Sequence, residues 1–166
     1  MKNIKLYKAL IIMVMVFCTG NIFAQTNNVP APVAAAFAAK YPKAELKKWE
    51  VNNDQYTAKV AEDHQKFEAA FDKNGQWLKT TTKISWSWNL PAEIRTSLKD
   101  SKYGDWRVDN LRRVDSPEGT VYQVLVDNLY LQVDGTHASF AQNRVLNFKP
   151  EGTLVAEQSI KSPLLF

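Results

Sequence analysis

Cysteine is almost absent from this sequence, which has one among its 166 residues. That residue, Cys18, ends an apolar run at positions 9–18. Val16 and Phe17 precede it, whereas a lipid-accepting cysteine follows small residues, so no lipid anchor is expected. If this segment is removed, the remaining chain has no thiol, which excludes disulfides, thiol nucleophiles and cysteine-ligated metal sites.

Long apolar runs are also lacking. The run at 9–18 would rise about 15 Å as a helix, half of the roughly 30 Å of a hydrocarbon core. Lys2, Lys5 and Lys8 precede it, and Ala24 supplies the small residue that signal peptidase needs. We therefore predict a signal peptide at 1–24 and a periplasmic or secreted chain without stable membrane insertion after cleavage.

The excess of positive charge is small. The formal net charge is +4, and removing three lysines with residues 1–24 leaves +1. Nucleic acid is not an expected partner, because phosphate binding requires clustered cations. Two basic pairs remain, Lys47-Lys48 and Arg112-Arg113. Neighbouring strand residues point to opposite faces, so we expect each pair to be solvated and not to form a basic groove.

Catalytic and cofactor motifs are missing as well. None of the six glycines belongs to a G-x-S-x-G elbow, a G-x-G-x-x-G fingerprint or a P-loop. His64 and His137 stand far apart in turn-like contexts without ligand spacing, and the turn starting at Asp72 lacks the further oxygen ligands of a calcium loop. The prediction is a non-enzyme with no cofactor and no metal.

The chain does contain the same pattern twice. Each copy begins with a proline followed by apolar residues four apart: Val29-Pro30, Val33, Phe37 and Tyr41 in the first, Leu90-Pro91, Ile94 and Leu98 in the second. Proline suits the first turn of a helix, because its missing N–H would have no partner there, and residues four apart share a face. The pattern predicts two short amphipathic helices.

Segments of alternating polar and apolar residues follow each helix. They predict strands at 45–52, 55–62, 65–72, 76–86, 106–115 and 120–127. The segment 71–78, which contains Gly75, recurs at 148–155 with Gly152, at a constant spacing of 77. The predicted fold is α+β, with two tandem α-β-β-β-β repeats at 25–88 and 89–166 and an insertion near 128–143. We expect their antiparallel sheets to join or pack together, with the helices on one face.

These residues resemble a known family. The pattern Val29-Pro30-x-x-Val33-x-x-x-Phe37-x-x-x-Tyr41-Pro42-x-Ala44, with Trp49-Glu50 and Phe71-Asp72-x-x-Gly75-x-Trp77-Leu78, is similar to the secreted PepSY-like family, also described as β-lactamase-inhibitor-like. The resemblance covers nearly all of 25–166 as two modules. It implies helix-plus-sheet units exported to the bacterial envelope, and protein binding rather than catalysis. The second copy departs from it, with Tyr103-Gly104 for Tyr-Pro and no counterpart of Trp49.

Tryptophan supplies the candidate contact residues, since all five lie in 25–166. By strand parity Trp77 shares a face with Lys79, Thr81 and Lys83, which makes it a surface candidate. Trp86 and Trp88 lead into the second helix, and we expect both to be core residues wedged between the copies.

The insertion supplies a second candidate surface, represented by Tyr130 and Leu131. Odd-numbered and even-numbered positions of 121–133 both carry apolar residues, so both faces of this strand are apolar. Either the strand is buried on both sides or one face binds a partner, and we favour burial.

The hypothesis from sequence is an exported, non-catalytic binding protein that inhibits or modulates an envelope enzyme. Its partner would be an envelope protein, contacted through Trp77, Lys79, Tyr130 and Leu131. The alternative is a structural or glycan-binding envelope component, with a polysaccharide as the partner.

Overall fold

The computed structural model describes residues 29–63, 65–128 and 142–160. Its helices are α1 (Ala31–Lys40) and α2 (Ala92–Asp100), with a 3₁₀ turn at Ser87–Asn89 before α2. Its strands are β1 Glu45–Asn52, β2 Gln55–Glu62, β3 Gln65–Asp72, β4 Trp77–Lys83, β5 Arg107–Ser116, β6 Gly119–Asp127, β7 Asn143–Phe148 and β8 Leu154–Ile160. The predicted signal peptide, both histidines, Tyr130 and Leu131 lie outside the described residues.

All eight strands form one antiparallel sheet, in the order β1 to β8. The expected α+β class is therefore confirmed. The ladder between β4 and β5 pairs 80–83 with 112–115 and joins the first four strands to the last four. The sheet is thus continuous across the middle of the chain.

The strand boundaries follow the alternation closely. The first three match the predicted ranges, and β5 and β6 match within one residue at each end. Only β4 is shorter than the predicted 76–86. It ends at Lys83, after which the Ile84 amide bonds to the Leu111 carbonyl and Trp86 leads into the 3₁₀ turn.

Two hydrophobic clusters stabilise the sheet, one under each helix. In the first cluster, Val33 and Phe37 of α1 pack on Ala58, Val60, Ala69 and Phe71. In the second cluster, Ile94 of α2 packs with Leu90, Tyr103, Leu111, Val124, Val126, Leu146 and Phe148. The four-residue spacing that predicted the helices places their buried side chains on the face that meets the sheet.

Both helices pack on the same face. Phe67 pairs across strands with Thr82, Thr82 with Arg113, and Arg113 with Tyr122. Cross-strand partners project from the same side of a sheet. Phe67 packs against the first cluster and Tyr122 against the second, so both clusters share one side. We call the other side, which carries Lys59, Glu68 and Arg112, the helix-free face, because no described helix packs on it.

The apolar strand 121–127 is buried on both sides, as favoured from its sequence. Val124 and Val126 belong to the second cluster. Leu125, of opposite parity, is also buried. The rest of that apolar segment lies outside the described ranges. Within those ranges, no helix is long and apolar enough to cross a membrane.

A charged contact fastens the loop after α2 to the last strand. The Tyr103 hydroxyl donates a hydrogen bond to the Glu157 carboxylate. Lys102 Nζ lies 3.2 Å and Arg144 Nε 3.5 Å from the same carboxylate. The Tyr103 hydrogen bond, with smaller contributions from Lys102 and Arg144, lowers the pKa of Glu157 from its ordinary value of 4.5.

Glu157→Gln is expected to lower the melting temperature by a few degrees at pH 7. A carboxylate with a depressed folded-state pKa stabilises the fold above its unfolded pKa and loses that contribution as pH falls through the folded pKa. The difference from wild type should therefore shrink from about pH 5 downward. Melting curves from pH 7 to about pH 3 test this, with the exposed turn residue change Glu151→Gln as control. A gap that stays constant across that range would contradict the assignment.

Candidate functional site

A cleft of about 580 Å³ lies on the helix-free face and is lined mainly by charged side chains. Its cations are Lys47, Lys48, Lys59, Lys66, Lys83 and Arg112, and its carboxylates are Glu50 and Glu68. We call it the basic cleft. Cations outnumber carboxylates six to two among its lining residues, in a chain that is nearly neutral after residue 24.

The strand register brings these side chains together. Lys48 of β1 pairs with Lys59 of β2, Lys59 with Glu68 of β3, and Glu68 with Thr81 of β4. Next to this row, Lys83 pairs with Arg112 of β5. Directly opposed residues have Cβ atoms about 5 Å apart. Residues distant in sequence therefore form one charged surface across five strands.

The two carboxylates are engaged within the cleft. Glu50 lies 2.7 Å from Lys48 Nζ and 3.3 Å from Lys59 Nζ, and Lys59 also contacts Glu68. The hydrogen bond from Lys48, followed by that from Lys59, lowers the pKa of Glu50. The hydrogen bond to Glu68 raises the pKa of Lys59, although partial burial opposes it. Both residues are therefore charged at neutral pH.

Other cations of the cleft face solvent. Lys66 and Lys83 are exposed and form no ion pair with any residue that the structure describes. The expectation that the basic pairs would not form a groove is wrong, because Lys47, Lys48 and Arg112 all line the cleft. The irregularity between Leu46 and Lys48 is what brings both Lys47 and Lys48 to it.

Trp86 and Trp88 are exposed and stacked on each other. Their exposed fractions are 57% and 62%, and their rings lie 4.9 Å apart at an interplanar angle of 5°. The expectation that both are core residues is wrong. Because β4 ends at Lys83, the 3₁₀ turn carries the indoles outward, whereas Leu90 is buried in the second cluster and Ile84 packs against it.

The tryptophan pair adjoins the basic cleft. A second cleft, of about 350 Å³, is lined by Lys83, Trp86 and the start of β5. Lys83 borders both clefts. Lys83 therefore connects the basic cleft with the exposed Trp86, across a smaller cleft that Asp109 also lines.

Trp77 lies on the opposite side from Lys79. A register shift in the β3–β4 ladder pairs Ala70 with Lys79 but Phe71 with Trp77. The regular alternation of side chains between the two faces is therefore interrupted at Leu78. Trp77 packs half-buried against the first cluster, donates from Nε1 to Thr80 Oγ1 at 3.0 Å and lies 3.8 Å under Lys40 Nζ. The prediction that Trp77 and Lys79 share a face is wrong. That either residue contacts a partner stays a prediction.

Carboxylate and imidazole side chains are the groups of the described chain that could hold a metal ion. Across 29–63, 65–128 and 142–160, no three or more His, Asp or Glu side chains lie close enough to hold a metal ion. The carboxylates of the basic cleft are occupied by lysines.

The family model described as "Putative beta-lactamase-inhibitor-like, PepSY-like" matches residues 15–67 and 60–154. Among solved structures, a BLIP-like protein from Bacteroides fragilis has a TM-score of 0.69 and 27% identity, covering 80% of this chain and 88% of its own. A DUF2874 family protein from Bacteroides ovatus has a TM-score of 0.69 and 24% identity, over 80% and 89%. A putative periplasmic protein from Bacteroides eggerthii has a TM-score of 0.68 and 21% identity, covering 80% of this chain and 89% of its own. No curated protein sequence matches significantly.

Proposed function

Since the chain belongs to the beta-lactamase-inhibitor-like, PepSY-like family, we propose that it is a non-catalytic binding protein that holds an envelope protein on its helix-free face. The observation that carries the proposal is the basic cleft, on the side of the sheet that no described helix covers, together with the exposed tryptophan pair that lies next to it beyond Lys83. If the partner is an enzyme and the contact covers its active site, binding would inhibit it.

The proposal includes export and a tandem organisation. Residues 1–24 would be removed as a signal peptide, and the chain would act in the periplasm or outside the cell. Two units, 25–88 and 89–166, would form the sheet together. In support, a helix followed by four strands occurs twice along the described chain, and the family model matches two overlapping stretches.

Lys79 is the proposed contact residue best placed for this role. It is exposed and lies on the helix-free face opposite Ala70. Trp77 stays in the proposed set, with its half-buried ring packed against the first cluster on the helix-bearing side. Tyr130 and Leu131 complete the set proposed from the sequence.

A pull-down from bacterial envelope extract tests the binding role. We expect wild-type bait to retain one protein, identified by mass spectrometry, and Lys79→Glu to reduce it about threefold, since a reversed charge at an interface rim mainly weakens encounter. Lys43→Glu, an exposed turn residue without an ion pair in the described chain, is the matched control. Trp77→Ala is informative only if circular dichroism shows it folded. If the bait is folded and retains no protein, the proposal is contradicted.

The stacked indoles favour one second candidate, a glycan-binding envelope protein. Their outer faces are broad, apolar and open to solvent. Such binding would persist in high salt and disappear in Trp86→Ala, because it would depend on ring contact and not on charge. Retention of the wild type and of Trp86→Ala on insoluble envelope polysaccharide in high salt distinguishes glycan binding from protein binding.

A further inference from the structure

The proposed function does not say which chemical groups the partner presents, and the charges of the basic cleft indicate them. Resting on that function, we infer that the partner is a protein presenting an acidic segment. Its carboxylates would face Lys66 and Lys83 in the basic cleft, and one of its apolar side chains would rest against Trp86 and Trp88.

Charge complementarity is the first argument. The carboxylates of the cleft already contact Lys48 and Lys59. This leaves Lys66 and Lys83 exposed with no ion pair among the described residues, on a surface where lining cations outnumber carboxylates. Concentrated like charge favours a partner of opposite charge, both in the encounter and in the bound state.

The tryptophan pair is the second argument. Interfaces depend on a few central aromatic anchors, and tryptophan is among the most enriched of them. Trp86 and Trp88 expose more than half of their surface, although residues of their size are usually buried to a large extent. Lys83 joins them to the basic cleft, so one segment can reach both.

The mixture of groups favours a protein over a polyanionic polysaccharide. Glu50 and Glu68 lie within the cleft and would repel a chain that carries negative charge at every unit. A uniform polyanion could also offer the indoles only sugar rings that each carry a carboxylate. A protein segment satisfies both conditions, since its carboxylates can be spaced and its apolar side chains placed beside them.

Selection from a random peptide display library against the immobilised full chain tests the inference. Enriched peptides are expected to carry net negative charge and at least one large apolar residue. Two of them, labelled with fluorescein, are then measured by anisotropy. Lys66→Glu with Lys83→Glu should weaken their binding by about tenfold or more. Trp86→Ala with Trp88→Ala should weaken it similarly, since these side chains would be anchors.

The matched control is Lys43→Glu with Lys149→Glu, two exposed turn lysines, which makes the same change in net charge and should alter binding less than about twofold. Polygalacturonate, an acidic polysaccharide, is the competing probe.

Peptides that bind the helix-free face but are neutral or basic would overturn the inference and leave the proposed function intact. Tighter binding of polygalacturonate through the same lysines would overturn both.

Discussion

Replacing Phe71 with alanine is expected to lower the free energy of unfolding by about 3–5 kcal/mol. The ring is fully buried at the centre of the first cluster. It meets Phe37 and Trp49 in tilted, edge-on contacts, with ring centroids 6.4 Å apart in each case. Alanine would leave a cavity between α1 and the sheet, because backbone pairing on both sides of β3 prevents the site from collapsing. Small domains are stable by only about 5–15 kcal/mol, so a large part of the stability is at stake.

Urea unfolding followed by circular dichroism measures this loss. Val51→Ala, on β1 with half of the side chain exposed, is the control and should change stability by less than about 0.5 kcal/mol. Equal losses for the two variants would show that Phe71 does not anchor the first cluster.

Phe148→Ala extends this prediction to the second cluster, where the ring is equally buried. The β4–β5 ladder makes the sheet continuous, and a unit of about 60 residues buries too little surface for much stability alone. We therefore expect one unfolding transition in both variants. Two separate transitions would show that the halves fold independently.

Local chemistry explains why most of the fold could be predicted from the sequence. The two-residue gaps between the predicted strands 45–52, 55–62 and 65–72 contain Asn53, Asp54 and Asp63, and all three have positive φ. Asparagine and aspartate tolerate that conformation better than other non-glycine residues. Alternation between such turns determines both the length and the faces of a strand, which is why the predicted bounds match so closely.

The candidate site depends on how neighbouring strands pair. The alternation of polar and apolar residues along one strand gives no information about that pairing. The basic cleft is formed by β1 to β5, and its members come together only through the pairing register. The shift at Leu78 moved Trp77 away from Lys79, although simple parity placed them together. The prediction that Trp86 and Trp88 are core residues rests on their size and apolarity, which favour burial. It is wrong because β4 ends early and the following turn carries both side chains into solvent.

The recurring motif at 71–78 and 148–155 has a structural reason that leads to the last prediction. Gly75 and Gly152 occupy its equivalent turn positions, with φ of +84° and +85°. A Cβ on Gly75 would lie 2.5 Å from the Pro32 carbonyl oxygen of α1. On Gly152 it would lie 2.7 Å from the Glu93 carbonyl oxygen of α2. Each glycine thus lets a hairpin approach the first turn of a helix.

Gly152→Ala is therefore expected to cost about 3–5 kcal/mol, the sum of a left-handed conformation and an overpacked contact. The obstructing atoms belong mainly to helix backbone, which cannot rotate away as a flexible side chain would. Gly75→Ala should have a similar effect at α1. Urea unfolding of each variant provides the measurement.

Gly119→Ala separates the two contributions. Gly119 also has positive φ, +122°, but a Cβ there would meet nothing within 4 Å. Its replacement should cost only the conformational part, about 1–3 kcal/mol. If Gly152→Ala were no more destabilising than Gly119→Ala, close approach to α2 would not be the reason for glycine at this turn. A larger loss would show that this glycine sets the distance between α2 and the sheet.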